Sequence, residues 1–577
     1  MADVTGKIVF FYDDDAYVEP LGQPSQEAVK NSTALMGRQV AGCEFLDAYL
    51  THGSWTELVA LVREPSQADS LFRFCEAHPS SRAKRRSLRV IEEGHFHQFF
   101  FPTPPASLLY TPCPPDPRYA WARQHGGPCA FALSGVTHTL CTMRAVDCLC
   151  DYVTAPLEAY DSLICTSRTA VRMVQAVTNT YADYLRDRHG GSPESRIRLE
   201  MIPLGVNPDK FHPPTSAERA TQRKALQIGE EELVVLFVGR LSYHAKAHPF
   251  PMFQGIAQAA TRTGRKVRLV LSGWAAESAV LDAFREGAGN FAPGVRLSIV
   301  DGTDPQKRFA VWHAADIFVS LVDNIQETFG LAVLEAMASG LPVVASDWDG
   351  YRDLVVPGET GYLVPTRMVP DATSHAASRL LLGEVNYEGF LAECSQCVAV
   401  DSTAAAEALA RLILDAELRR HMGTAGRQRV LSCFAWSQVI KAYEQLWREQ
   451  EHERLAFAGR RGGSSRTARG PARYPAPEDS FAGYPTSWLK GDDFLQASAG
   501  APDRLERVLA MPLTNHSAHA RTTDMTVLRA ILASTVTPRS VVELDGMLRQ
   551  ANVPFGAGRA TVAWMLKYDL LRIARSK

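Results

Sequence analysis

Two glutamates, Glu327 and Glu335, stand eight residues apart in the stretch 323–348, DNIQETFGLAVLEAMASGLPVVASDW. Leu331, Leu334, Met337 and Ala338 recur at helical spacing, Gly340 is a stop signal and Pro342 follows, so residues 329–339 read as a helix. Glu327 then lies in the loop before it and Glu335 on its second turn. The first amides of such a helix, near Gly330 and Leu331, have no partner inside it and favour an anion. The order is carboxylate, anion cradle, carboxylate. A nucleotide-sugar has the matching order of sugar hydroxyls, diphosphate and ribose hydroxyls. Gly330 lets the backbone come close to the phosphates. Two glutamates at this spacing alone would be ordinary solvated side chains; the chemistry lies in the whole string.

The elements that must position these groups read as alternating strands and helices. Residues 317–321 (IFVSL) and 342–346 (PVVAS) are apolar runs on either side of the helix, which makes a parallel βαβ unit, and such units bind ligands at the carboxyl ends of their strands. Earlier strands are expected at 7–12, 57–62, 88–92, 131–134, 162–166 and 200–203, with Ser167 capping a long helix that ends near Gly190 and Gly191. A Pro-rich polar stretch interrupts the pattern close to residue 215. Strands at 233–238, 267–272 and 295–300 then restart it. Residues 403–422 and 436–447 read as helices, and the polar insertion 367–400 as a helical excursion near the acceptor path.

The string QETFGLAVLEAMASGLPVV resembles the donor-site signature of retaining glycosyltransferases of family 4, which have the GT-B fold. The resemblance covers roughly residues 7–450 and is most specific over 233–365. It implies an α/β protein with two doubly wound Rossmann-like domains facing a cleft. The expected boundaries are 1–215 for the acceptor domain, 216–435 for the nucleotide-sugar domain and 436–456 for a helix crossing back. A flexible basic linker over 457–478 and a small, mainly α module over 479–577 follow. By resemblance, Gly239 and Arg240 at the end of 233–238, with Lys246, hold the donor diphosphate. Lys246 lies six residues past Arg240, where relatives more often have five. Thr328, Phe329, Gly330 and Leu331 line the same charge, Glu335 takes the ribose, and Glu327 with His138 takes the sugar. Gly37 resembles the first glycine loop, with one glycine where relatives often have more. No metal or other cofactor is implied. The donor's own phosphate oxygen would deprotonate the acceptor hydroxyl, and the acceptor would be a saccharide or lipid-linked saccharide. Two rivals stand beside the transferase: a phosphorylase or epimerase on the same fold, and a sugar-nucleotide sensor acting through its C-terminal module.

Composition bounds the rest. The 577 residues exceed one core, and a net charge of −2 makes the whole chain no polycation for nucleic acid or membranes. No stretch approaches a transmembrane helix or a signal peptide, which points to the cytoplasm. The eleven cysteines are scattered, the pairs Cys394 with Cys397 and Cys148 with Cys150 have no second pair at zinc-site spacing, and all read as reduced thiols. Asp13, Asp14 and Asp15 after the first strand read as an acidic loop tip, with metal binding as the other reading. The basic run Arg82, Lys84, Arg85, Arg86 and Arg89 reads as a solvated face, or as a peripheral contact with the inner face of an anionic membrane. His95, His97 and His125 read as structural. Near the C-terminus, residues 526–533, 540–550 and 556–571 read as three short amphipathic helices of a docking or packing module, the last two alternatively as a helix-turn-helix or winged-helix-like unit, with nucleic-acid binding not expected.

Overall fold

The computed structural model describes residues 8–17, 37–54, 57–77, 87–94, 107–460, 472–511, 525–551, 553 and 555–574. Arg82, Lys84, Arg85, Arg86, His95 and His97, and linker residues 461–471, lie outside the described residues. One compact unit runs to Pro475 and a second begins at Ala476.

The first unit holds two parallel sheets. The first has the strands β1 (Ile8–Phe11), β2 (Glu57–Val62), β3 (Ser87–Glu92), β4 (Leu108–Thr111), β5 (Ala132–Val136), β6 (Ser162–Cys165) and β7 (Arg198–Met201), in the order β3-β2-β1-β4-β5-β6-β7. The second has β8 (Leu233–Val238), β9 (Val267–Gly273), β10 (Arg296–Asp301), β11 (Ile317–Ser320), β12 (Val343–Ser346) and β13 (Gly361–Val364), in the order β10-β9-β8-β11-β12-β13. Both orders reverse direction once, at β1/β4 and at β8/β11, and crevices form where the order reverses. These are the two doubly wound Rossmann-like sheets of the GT-B architecture. Runs such as LVVLFV in β8 are apolar throughout because a parallel sheet is covered on both faces.

Among the features of this unit that differ from the sequence pattern, two have a plain physical reason. Strand β4 was not anticipated: its four residues, LLYT, sit between Pro105 and Pro112, and prolines at both ends mask so short a run. The helix expected over 403–422 is two. Asp415 ends Ser402–Leu414 and starts Ala416–Arg429, its carboxylate accepting the Leu418 amide at 2.9 Å.

The helix Trp436–Arg460 returns to the first sheet. Trp436, Val439, Ile440, Tyr443, Leu446 and Trp447 share one buried cluster with Phe10, Phe45, Tyr49 and Tyr110. Trp447 donates to Ser134 Oγ at 3.2 Å, and Gln450 donates to the carbonyls of Leu133 and Tyr160 at 3.0 and 2.8 Å.

The second unit has a three-stranded antiparallel sheet, β17-β16-β18, from β16 (Phe494–Ala497), β17 (Arg539–Ser540) and β18 (Leu571–Ile573). The helices Ala501–Ala510, Met525–Ser534, Val541–Gln550 and Phe555–Lys567 pack on a core of Leu495, Leu505, Ile531, Leu544 and Met565. Ser540 and Glu543 form a capping box at the start of the third. The last helix stops at Lys567 rather than running to 571. Asp569 takes φ 53°, and the chain turns into β18.

At the start of β6, Asp161 and Arg123 are fully buried and paired through both oxygens, at 2.6 and 2.7 Å. The same carboxylate accepts the amides of Leu133 and Glu158 at 2.8 and 2.9 Å. Asp161→Ala should therefore cost about 3–5 kcal/mol by leaving a buried guanidinium unpaired. Urea unfolding measures it; a loss within experimental error would show that the pair does not anchor β6.

Candidate active site

The loop after β8 and the loop after β11 leave the switch point of the second sheet together. Past the strand ends the backbones stay close: Gly239 N–H donates to Ser272, and Gly302 N–H donates to Gly273, at 3.0 and 2.9 Å. A Cβ on Gly273 would sit 1.9 Å from the Gly239 oxygen, so glycine is required there. A Cβ on Gly239 would press on the Lys246 side chain at 3.2 Å.

Lys246 Nζ reaches Glu327 Oε2 at 2.6 Å, both side chains being largely buried. The other oxygen of Glu327 accepts the Phe329 amide at 3.3 Å. Burial alone would raise the Glu327 carboxyl. The Lys246 charge and hydrogen bond, with the Phe329 and Thr328 amides, outweigh that and hold it below the ordinary carboxylate range. Arg240 donates to Gln326 Oε1 at 3.3 Å and to the Ala245 carbonyl at 3.4 Å, and its guanidinium lies 5.9 Å from the Trp274 ring centroid. Among the described residues it meets no carboxylate.

The signature helix is Leu331–Ala338, with Gly330 as its N-cap and no side-chain cap. Its first amides are therefore not capped by a side chain, and they point out of the helix start beside Glu327. Gly330 has φ 111°, and a Cβ there would collide with the Tyr351 ring at 2.3 Å. Packing under the helix thus demands this glycine, in addition to any approach by phosphate. Tyr351 is held from below, its hydroxyl 2.8 Å from Ser320 Oγ. Glu335 is half-buried one turn along the same helix.

The structure thus brings Gly239, Arg240, Lys246, Glu327, Thr328, Phe329, Gly330 and Leu331 to one rim, with Glu335 on the helix behind it. His138 belongs to the first sheet, just past β5. Its backbone partner is the carbonyl of Pro112, which comes near because Gly135 has no Cβ; one there would meet the Cys113 oxygen at 2.3 Å. Burial and then the Arg38 charge push His138 down to about 4, so it is neutral near pH 7. A neutral imidazole donates and accepts hydrogen bonds but supplies no charge. Gly37 opens the helix Gly37–His52 at the surface, and a Cβ there would meet nothing within 4 Å. Asp13 and Asp15 are engaged by Arg63 and Arg38, at 3.0 and 2.5 Å. All eleven cysteines are free, and among the described residues no helix is long and apolar enough to cross a membrane.

Sequence reasoning missed several groups at this rim. Ser167 Oγ, which caps Arg168–His189, also donates to Asp349 Oδ1 at 3.1 Å. The Arg168 amide donates to Asp353 at 2.8 Å, and Arg168 Nε forms an ion pair with the same carboxylate. Thr166 Oγ1 lies 3.5 Å from the Thr328 oxygen. These bonds tie the end of β6 to the second domain. Asp349 has φ 40°, in the left-handed region where aspartate is one of the few tolerated side chains. Its only signal in the sequence was its place in the run DGYRD.

Residues 218–392 match the family model described as Glycosyl transferases group 1. That stretch is a group 1 glycosyltransferase domain. It contains Arg240, Lys246, Glu327, Gly330 and Glu335; His138 and Gly37 fall outside it. The chain is 33% identical over 172 residues to a D-inositol 3-phosphate glycosyltransferase of Nocardia farcinica, covering 29% of this chain and 37% of that one. It is 35% identical over 171 residues to the enzyme of the same name in Corynebacterium efficiens, covering 29% and 39%. The chain thus spans about two fifths of the length of the curated relatives it matches. Among solved structures, Anabaena HepE with UDP is similar at 14% identity and TM-score 0.47, over 76% of this chain and 98% of that one. Sucrose-phosphate synthase from Thermosynechococcus elongatus gives 19% and 0.46, over 78% and 100%.

The group 1 domain holds two acids whose protons are bound unusually tightly. Asp323 is pushed up to about 7 by burial, against the His248 amide. Asp349 is pushed up to about 7 by burial and then by the Glu327 charge. Each binds its proton more tightly folded than unfolded, where the ordinary value is 3.8. Their stabilising contribution is whole at low pH and is lost as pH rises through about 7. Between about pH 5 and pH 8 the melting temperature should therefore fall further for the wild type than for Asp349→Asn, which keeps the Ser167 bond and has no proton to lose. Parallel thermal-shift curves for the two proteins would sink the assignment.

Proposed function

We propose that the chain transfers a sugar from a nucleoside-diphosphate sugar to an acceptor hydroxyl, with retention at the anomeric carbon, in the assembly of a polysaccharide or glycoconjugate. The observation that carries this reading is the Lys246–Glu327 pair beside the uncapped start of Leu331–Ala338. In this reading it supplies, side by side, a cation, an anion cradle and a carboxylate for hydroxyls.

The diphosphate would rest on the Gly330 and Leu331 amides, with Arg240 and Lys246 as donors. Charge grows on this leaving group as the anomeric C–O bond breaks, and fixed donors stabilise that charge most when water is excluded. Glu327 would accept hydroxyls of the sugar, and Glu335 those of the ribose. His138, being neutral, would hydrogen-bond the sugar from the other domain. The acceptor proton would pass to the departing phosphate oxygen, and the new C–O bond would form on the face the diphosphate leaves. The protein then works by positioning and charge stabilisation, and needs neither a dedicated base nor a metal. The curated relatives make a phosphorylated cyclitol one acceptor to try, beside saccharide and lipid-linked acceptors. A peripheral membrane contact through residues 82–89 belongs to the same reading.

Incubation with UDP-, GDP- and ADP-sugars should give slow nucleotide release with one of them. Glu327→Ala should lower that release by about 10²-fold, the size of loss expected for a group serving the transition state. NMR of the product should show the anomeric configuration of the donor. The nucleoside diphosphate at about 100 times its Kd should stabilise the fold by about 2.7 kcal/mol. If UDP, GDP and ADP all leave the melting temperature unmoved, the reading fails.

A further inference from the structure

Between β13 and Ser402–Leu414 the chain makes an excursion. Its stem is an antiparallel pair, β14 (Thr366–Met368) with β15 (Val398–Val400), and beyond it lie the helices Ala376–Leu381 and Tyr387–Ser395. Tyr387 opens the second of these and is half-buried. Its hydroxyl is 3.1 Å from Gln326 Nε2 and 3.2 Å from Cys141 Sγ, a residue of the first domain. Gln326 Oε1 in turn accepts from Arg240.

The direction of the two bonds made by Gln326 is fixed by chemistry. A guanidinium only donates, so Gln326 must turn its carbonyl to Arg240 and its amino group to Tyr387. The phenol oxygen therefore accepts from Gln326, and either group can donate in its contact with Cys141 Sγ. Donation runs one way along Arg240, Gln326 and Tyr387. The neighbouring Glu388 stands 3.7 Å from His244 Nε2, inside the loop between Arg240 and Lys246, so the helix meets that loop as well. With no carboxylate beside it among the described residues, Arg240 is oriented by neutral groups alone, and Gln326 is the one that can turn. We infer that Tyr387 is a positioning residue for the proposed transfer: it fixes Gln326, and through it the fork of Arg240, and it joins that setting to the first domain through Cys141.

The inference rests on the crevice being a nucleoside-diphosphate site. The probe is whichever of UDP, GDP and ADP raises the melting temperature of the wild type most. Its Kd is measured calorimetrically on the full chain for wild type, Tyr387→Phe, Arg240→Lys and the double variant, each checked for folding by circular dichroism. Tyr387→Phe removes one oxygen and should weaken binding by about fivefold, as for loss of one neutral hydrogen bond that orders a donor. In the Arg240→Lys background the same change should cost less than about twofold, because the side chain it orients is gone. A purely structural role for Tyr387 would cost the same in both backgrounds, and that result overturns the inference. So does unchanged binding by folded Tyr387→Phe. If Tyr387→Phe does not fold, Cys141→Ala carries the same test from the far end of the chain of bonds, with the same two outcomes. Failure of the wild type to bind any of the three overturns the functional reading, and this inference with it.

Discussion

Lys246 and Glu327 reach each other from loops that leave neighbouring strands, β8 and β11, where the second sheet reverses its order. Helices on either side of that point lie on opposite faces, so the two loops part and leave a crevice. The pair then closes it from within. Everything else at the rim is fitted to this geometry. Missing side chains at Gly239, Gly273 and Gly302 let the strand ends crowd together, and Tyr351 under Gly330 sets where the signature helix begins. A largely buried carboxylate is tolerated there because an ammonium and two backbone amides answer it.

Much of this could be read from the residues. Parallel strands covered on both faces appear as unbroken apolar runs, so β8, β11 and β12 were legible, and the helix between the last two had both its period and its stop. Glu327, Gly330 and Arg240 stood out at the ends of those runs through their resemblance to the family 4 donor-site motifs. Tyr387 and Gln326 did not. They are 61 residues apart, and Tyr387 and Cys141 are 246 apart, and no local pattern encodes such meetings. Asp349 likewise looked like one acid in a polar run, and its nearness to Glu327 is a product of tertiary packing. The reason for Gly330 was half legible. Its spacing marked a helix start, while the aromatic ring beneath it came from 21 residues further on. The break at Asp415 was missed because a capping aspartate inside an apolar period resembles a tolerated surface residue.

The two sheets of the first unit are joined by polar bonds at the end of β6 as well as by covalent connections. Ser167 serves twice, capping its own helix and donating to Asp349 of the other domain. Asp349 holds a left-handed conformation at a cost of about 1 kcal/mol or more, and the bond across the cleft is one of the contacts that offset it. Placement of the Glu327 loop and the contact between the two sheets' domains therefore share the same few atoms.

The returning helix Trp436–Arg460 has a consequence for how the chain is made. Ser134 and Leu133 wait for partners 313 and 317 positions downstream, so the cover of the first sheet is complete only after the whole second sheet has been synthesised. Such distant closure slows folding and leaves apolar surface around Phe10 and Tyr110 uncovered in the meantime. The amino-terminal half alone thus lacks the helix that completes its aromatic cluster, and a nascent chain stopped short of Trp447 would carry an open aromatic face.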